Sequence, residues 1–299
     1  MVKQEDRTKQ PTGLELYLRA AERSSSEVLS TYSTSFGLAA KLLSPTVRRH
    51  VENIYALVRV ADEIVDGSAA EARAQGGSAD PARELDDLER EVYRAMLDRF
   101  SANLVVHAFA HTANQTGIDR EIIRPFFDSM RMDLWKTKHD QRSFEKYVYG
   151  SAEVVGLMCL QAFVEGLEYS QEQTAKMVAG ARALGSAFQK VNFLRDLSAD
   201  ARGLGRSYFP GISPESFTEA EKTRLVEDIR AELVVSAASI GLLPKSARRA
   251  VVAAHLLFEA LNELIGNTAA SQLISTRISV PSSRKAMILA KAWLGVVPK

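Results

Sequence analysis

The chain of 299 residues contains one cysteine, so no disulfide can close within it. That residue, Cys159, stands in the apolar run Val154-Val155-Gly156-Leu157-Met158-Cys159-Leu160, where a packed structural thiol is expected rather than a nucleophile. An excess of charge of one sign is lacking too. The 38 Lys and Arg residues nearly balance 37 Asp and Glu residues, which removes the basic field of a general nucleic-acid binder, so no nucleic-acid partner is expected. Only nine prolines occur, and none between Pro125 and Pro210, leaving that stretch free for long helices. Alternating strand patterns, fixed-period repeats and a Gly-x-Gly-x-x-Gly fingerprint are all missing. No apolar run reaches membrane-spanning length, and the polar first fifteen residues lack the apolar core of a secretory signal, so a cytoplasmic protein is expected.

What is present points to one large helical domain. Hydrophobic residues at 46% and charged residues at 25% suit an ordinary globular core. The expected division is a flexible segment over 1–15 followed by an all-α domain over 16–299, a single bundle of about ten helices. Ser44-Pro45 reads as a helix start, and Val47, Val51, Ile54, Tyr55 and Val58 recur at helical steps, predicting a helix to about Asp66. The Gly- and Ser-rich stretch from Gly67 to Pro81 reads as a loop, and Gly203 to Pro214 as a second break.

Two acidic pairs stand out. At about 100° per residue, Arg59, Asp62 and Asp66 share one narrow arc that continues the stripe of Val51 and Tyr55. Gln189, Asn192, Asp196 and Asp200 fall within an arc of roughly 80° on a later helix, flanked by Phe188, Val191 and Leu197. One Asp-x-x-x-Asp is most often a solvated helix face. Two copies on inward stripes, accompanied by Gln and Asn instead of Lys or Glu partners, need another explanation, because buried unpaired charge is costly. Oxygen donors on two helices suit a hard cation, Mg²⁺ or in its place Mn²⁺, bridging carboxylates to phosphate oxygens. Diphosphate is then the natural substrate group. His107 and His111 share a helix face at a spacing zinc can use, but no third ligand is near in sequence, and they read as structural.

At these residues the chain resembles the squalene and phytoene synthase family. Five blocks carry the resemblance in order: Tyr32-Ser33-Thr34-Ser35-Phe36, Tyr55 to Asp66, Tyr147 to Gly156, Gln189 to Asp200, and Gly205-Arg206-Ser207-Tyr208-Phe209-Pro210. The resemblance spans roughly residues 28 to 295 and implies the isoprenoid synthase helical bundle with a central cavity. It implies that Asp62, Asp66, Asn192, Asp196 and Asp200 hold two or three Mg²⁺ ions and the diphosphates. Arg59, Ser33, Ser35 and Arg195 would contact phosphate oxygens, with Tyr32, Thr34, Arg206 and Tyr208 in the same substrate-binding segments. Tyr55 and Gln189 would line the substrate site, and Tyr147 would stand near the reacting carbons. Plainer roles stay open: Ser33 and Ser35 as helix caps, Tyr147 as core, Arg206 and Tyr208 as a staple for their loop. Two departures from the family pattern are visible. Glu63 stands where a second Asp is common, and Thr276-Arg277 replaces paired arginines beside Phe258, leaving Arg277 and Lys285 as the candidates there.

The activity so implied is head-to-head joining of two prenyl diphosphates through a cyclopropylcarbinyl diphosphate, without NADPH when phytoene is the product. Ala39 and Ala40, one turn beyond Phe36, favour room for a twenty-carbon chain. Use of farnesyl diphosphate to make dehydrosqualene, squalene or presqualene diphosphate is the alternative. Because cations must be kept from water and the substrates are greasy, peripheral contact with a membrane is also expected.

Overall fold

The computed structural model describes residues 10–203, 206–296 and 298; within these the side chains at 34, 35, 198–203 and 214 lie outside the described set. The helices in chain order are α1 (Gly13–Tyr32), α2 (Thr34–Ala40), α3 (Pro45–Asp66), α4 (Ser68–Ala74), α5 (Pro81–Asp98), α6 (Leu104–Thr116) and α7 (Arg120–Asp133). There follow α8 (Gln141–Val148), a π-helical turn (Tyr149–Glu153), α9 (Val154–Val164), α10 (Gln171–Gly203) and a 3-10 turn (Pro214–Ser216). The last four are α11 (Glu219–Ile240), α12 (Lys245–Gly266), α13 (Ala270–Leu273) and α14 (Ser282–Trp293). Among the described residues there is no strand, only an isolated bridge between Lys138 and Ser207.

Helix α3 has the predicted bounds and buries Val47, Val51, Ile54, Leu57 and Ala61. Ser44 occupies its cap position, yet its side chain makes no cap bond; its N–H instead donates to Ser246 O at 2.9 Å. Three expectations need correction. The stretch after Gly67 is not all loop, because Ser68–Ala74 forms α4, as its Ala, Glu and Arg content favours. The segment expected to be flexible to residue 15 is helical from Gly13, where Thr12 and Glu15 form a reciprocal capping box. Finally, the continuous helical run Gln141–Val164 is long and apolar enough by composition to cross a bilayer. Here it packs against α3, α7 and α10 and buries Phe144, Tyr147, Val148, Val154, Met158 and Leu160.

Two apolar clusters form most of the core. One gathers residues of α3, α5, α6, α7 and α9, including Ile54, Leu57, Phe109, Phe126 and Phe127. The other gathers α8, α10, α11 and α12, including Tyr147, Phe193, Leu194, Ile229 and Ile265. Close backbone approach sets how α10 lies on the π turn and α9. A Cβ at Gly185 would stand 2.5 Å from Ala152 O, and one at Gly156 would stand 2.5 Å from Ala181 O. Gly185 thereby fixes the approach one turn before Gln189 and two turns before Asn192.

Candidate active site

The last two turns of α3 carry Arg59, Asp62, Glu63 and Asp66. Arg59 does not point along its arc toward the carboxylates alone. Its guanidinium lies 4.4 Å over the Tyr32 ring, pairs with Glu63 and approaches Asp62 at 3.9 Å. Glu63 also accepts from the Ser68 hydroxyl, which ties α3 to α4, so the residue that departs from the family pattern works at a helix junction. A cleft of about 340 Å³ opens on this side, with Tyr32, Arg59, Glu63 and Ser68 in its wall. Asp62 keeps 31% of its side chain exposed. Loss of solvation, and then the charges of Asp66 and Asp133, push its carboxyl up to about 8 against the pull of Arg59.

Arg206 joins this helix to the rest of the site. Its buried guanidinium donates to Asp66 Oδ1 at 2.7 Å, Asp133 O at 2.9 Å, Val65 O at 3.3 Å and Tyr208 Oη at 3.3 Å. It also stands 3.7 Å from the Asp133 carboxylate. The opposite oxygen of that carboxylate accepts from the Tyr147 hydroxyl at 2.8 Å. Burial first, then Asp133, raises the Tyr147 phenol well above its ordinary value and keeps it protonated. Around it stand Tyr208, stacked on Phe193 at 4.0 Å between ring centroids, and His139 at 5.0 Å. Burial lowers the His139 pKa and favours its neutral form.

On α10, Gln189 and Asn192 are half-buried. Asp196 accepts from Arg195 Nε at 3.1 Å and from Arg277 Nε at 2.8 Å. Burial works to raise the Asp196 carboxyl, but the bonds and charges of Arg195 and Arg277 outweigh it and hold the group below its ordinary value.

The profile of the squalene/phytoene synthase family matches residues 29–284. The chain belongs to that family. It is 31% identical over 305 residues to phytoene synthase 3, chloroplastic, of Zea mays, an alignment covering 95% of this chain and 68% of that one. Against 15-cis-phytoene synthase of Paracoccus sp. it is 30% identical, with 84% and 85% covered. The match to the Daucus carota phytoene synthase is 33% identical and covers 66% of this chain, which spans about half (49%) of that relative. Among solved structures, a dehydrosqualene synthase superposes with a TM-score of 0.77 at 21% identity, over 94% of this chain and 98% of that one. A squalene synthase of Alicyclobacillus acidocaldarius superposes with a TM-score of 0.71 at 20% identity, over 85% and 97%. The architecture is therefore the isoprenoid synthase helical fold of squalene and dehydrosqualene synthases.

Within this family member, Asp66, Asp133 and Tyr208 meet at Arg206, and Tyr147 joins them through Asp133, while Asp62 pairs with Arg59 and Asp196, Arg195 and Arg277 form a second linked set. The staple role of Arg206 and its place beside the acidic helix are thus one arrangement. Ser33 caps α2 by accepting from the Phe36 N–H at 3.3 Å, and Tyr55 stacks on Phe36 at 5.6 Å. The side chains of Thr34, Ser35 and Asp200, and Gly205 as a whole, lie outside the described residues. Ala39 and Ala40 are packed, and the gap beside Ala39, about 10 Å³, has room for at most one water, so their expected role in chain length gains nothing from the geometry. Phe258 stacks on Phe188 at 3.6 Å. His107 is buried against Tyr17 and Phe100, in keeping with the structural reading.

Asp133 and His139 were not singled out from sequence. Asp133 had a readable signal: it follows Met130 by three residues and Phe126 by seven, an acid on an inward stripe like that of Asp62. Whether the donor set suits magnesium can be judged from its chemistry. All proposed ligands offer oxygen, and Asp62 sits among like charges that a hard cation would relieve. Among the described residues, however, no three carboxylate, imidazole or thiol groups converge as a ready metal site, and guanidinium groups engage Asp66 and Asp196.

Proposed function

We propose that the protein joins two molecules of geranylgeranyl diphosphate head to head, in a magnesium-dependent reaction that passes through prephytoene diphosphate and yields phytoene. The observation that carries this reading is the guanidinium group brought to each acidic helix from elsewhere in the chain: Arg206 at Asp66, and Arg277 joining the helix's own Arg195 at Asp196. Carboxylates and guanidiniums interleaved in this way suit a polyanion that takes over the arginines while the carboxylates turn to metal. The choice of a twenty-carbon substrate is supported by the phytoene synthase names of the relatives.

Asp62, Asp66, Asn192, Asp196 and Asp200 would hold the ions, and magnesium bound there would neutralise the charge of the departing diphosphate. Arg59, Arg195, Arg206 and Arg277 supply donors for its oxygens. Tyr147 stays protonated and donates a hydrogen bond to Asp133, which polarises the phenol and makes its oxygen more electron-rich beside the proposed site of a developing cation. The faces of Phe193, Tyr208 and Tyr147 can stabilise that cation, and their packing excludes water.

The test is product analysis. Purified protein is incubated with Mg²⁺ and either geranylgeranyl or farnesyl diphosphate, with and without NADPH, and the extracted hydrocarbons are weighed by mass spectrometry. A forty-carbon hydrocarbon formed without NADPH supports the proposal. A thirty-carbon product from farnesyl diphosphate moves the protein to the dehydrosqualene or squalene branch, and no product from either substrate removes the catalytic reading.

A further inference from the structure

Three stretches of this nearly neutral chain contain no acid at all. Between Ser33 and Val51 the charges are Lys41, Arg48 and Arg49; between Leu233 and Phe258 they are Lys245, Arg248 and Arg249. From Leu264 through Lys299 they are Arg277, Arg284, Lys285, Lys291 and Lys299. The fold brings parts of these stretches together. Ser44 N–H donates to Ser246 O, α12 packs on both α2 and α14, and Ala39 shares an apolar cluster with Val252, Ala253 and Ala292.

Several of these cations have internal work. Arg48 donates to the carbonyls of Ala40, Lys41 and Leu43, Arg248 to that of Leu243, Arg49 faces Glu22 and Arg284 faces Glu263. Lys41, Lys245, Arg249 and Lys291 are exposed, and among the described residues none of them makes an ion pair. The Arg249 guanidinium instead lies 5.7 Å over the ring of Trp293.

That ring belongs to the second feature. Helix α14 buries Ile288 and Ala292 and turns Met287, Ala290 and Leu294 outward along one arc, with Trp293 on one flank and Lys291 on the other. Met287 is 50% exposed, Trp293 60%, Leu294 71% and the following Val296 51%. Single exposed apolar residues need no explanation. A short helix with a Trp, an apolar outward stripe and unpaired cations on its margins has the composition of a segment that lies in a lipid interface.

We infer that α14, with the basic N-terminal end of α12 beside it, is a docking surface for an anionic lipid bilayer, the apolar stripe entering the headgroup boundary and Lys245, Arg249 and Lys291 meeting lipid phosphates. Charge decides the occupant. A second copy seated face to face by twofold symmetry would bring the same cations against themselves, whereas an anionic membrane complements them. For the prenyl substrates proposed above, this surface would face the lipid in which they dissolve, but the docking claim does not depend on that reading.

The test uses the full chain and no catalysis. Flotation is measured with vesicles of phosphatidylcholine alone and of phosphatidylcholine mixed with phosphatidylglycerol. A Trp135→Phe background leaves Trp293 as the one tryptophan reporter. The expected result is binding to the mixed vesicles only, weakened by salt, with a blue shift of Trp293 emission. The pair Lys245→Glu and Lys291→Glu should lower the bound fraction about tenfold or more. The set Met287→Ser and Leu294→Ser should abolish the blue shift, with unchanged circular dichroism showing that the fold is kept. Binding equal on neutral vesicles, no binding, or binding undiminished in both variants would overturn the inference. A concentration-dependent dimer lost in the Met287→Ser and Leu294→Ser variant would assign the face to a second copy instead.

Discussion

Helices α3 and α10 carry the same Asp-x-x-x-Asp spacing and stand in opposite electrostatic states. On α3, Asp62 is pushed up to about 8 by lost solvation and by Asp66 and Asp133. On α10, two arginines hold Asp196 below its ordinary value despite burial. The difference comes from what each helix meets. Arg206 takes Asp66 and the Asp133 backbone and leaves Asp62 with a distant Arg59, whereas Asp196 has Arg195 beside it and Arg277 from the chain before α14. The first acidic helix is short of positive charge and the second is well supplied, so metal should stabilise the first more than the second.

The largest way to break this contrast is to remove Arg206. Arg206→Ala strips the buried guanidinium from Asp66 and Asp133 and from the carbonyls of Val65 and Asp133. A loss of about 3–5 kcal/mol in a urea unfolding series is expected. Arg206→Lys should recover part of it, because a point charge cannot reach all four acceptors. A loss below about 1 kcal/mol for Arg206→Ala would show that the staple is dispensable.

Asp62→Asn and Asp196→Asn sharpen the comparison. Each should lower turnover by about 10²-fold or more, since each removes a charge that the proposed reaction needs at the leaving group. Their stabilities should part company. Asp196→Asn loses two charge-assisted bonds and should cost about 1.5–3 kcal/mol, while Asp62→Asn relieves crowding and should leave the metal-free protein as stable or more so at pH 8. Equal destabilisation by both would remove the contrast.

The pH dependence follows with opposite signs. Asp62 is raised in the folded state, so between its unfolded value of about 4 and its folded value the native protein binds more protons, and stability falls as pH rises. The melting temperature in chelator should therefore climb on going from pH 8 to pH 5, the climb should be smaller in Asp62→Asn, and added Mg²⁺ should restore stability at pH 8. The Asp196 contribution has the reverse sense and is lost only as pH falls below the ordinary carboxylate range. The smallest effect belongs to Arg277→Ala. With 71% of its side chain exposed, it should change stability by less than about 1 kcal/mol, while the KM for the diphosphate substrate rises.

How much of this was legible in the sequence depended on whether the signal was local. The bounds of α3 and the two acidic arcs are properties of one helix each, so periodicity exposes them. The contact of Arg206 with Asp66 spans 140 positions, and no spacing rule reaches that far. Asp133 was readable in principle from its place on the stripe of Phe126 and Met130, but its role is set by Tyr147 and Arg206. The Gly67 to Pro81 stretch was misread because glycine at its two ends drew attention from the helix-forming Ala, Glu and Arg between them. Five family blocks supplied candidate site residues that periodicity alone could not rank, Ser33, Tyr147 and Tyr208 among them.

The most direct test of the central claim, that both acidic helices serve one metal-bridged diphosphate site, is calorimetric titration of inorganic diphosphate into the wild-type protein, Asp62→Asn and Asp196→Asn, with and without Mg²⁺. The account predicts binding to wild type that requires Mg²⁺ and is lost in both variants. Binding that ignores Mg²⁺, or that survives intact in either variant, would contradict it.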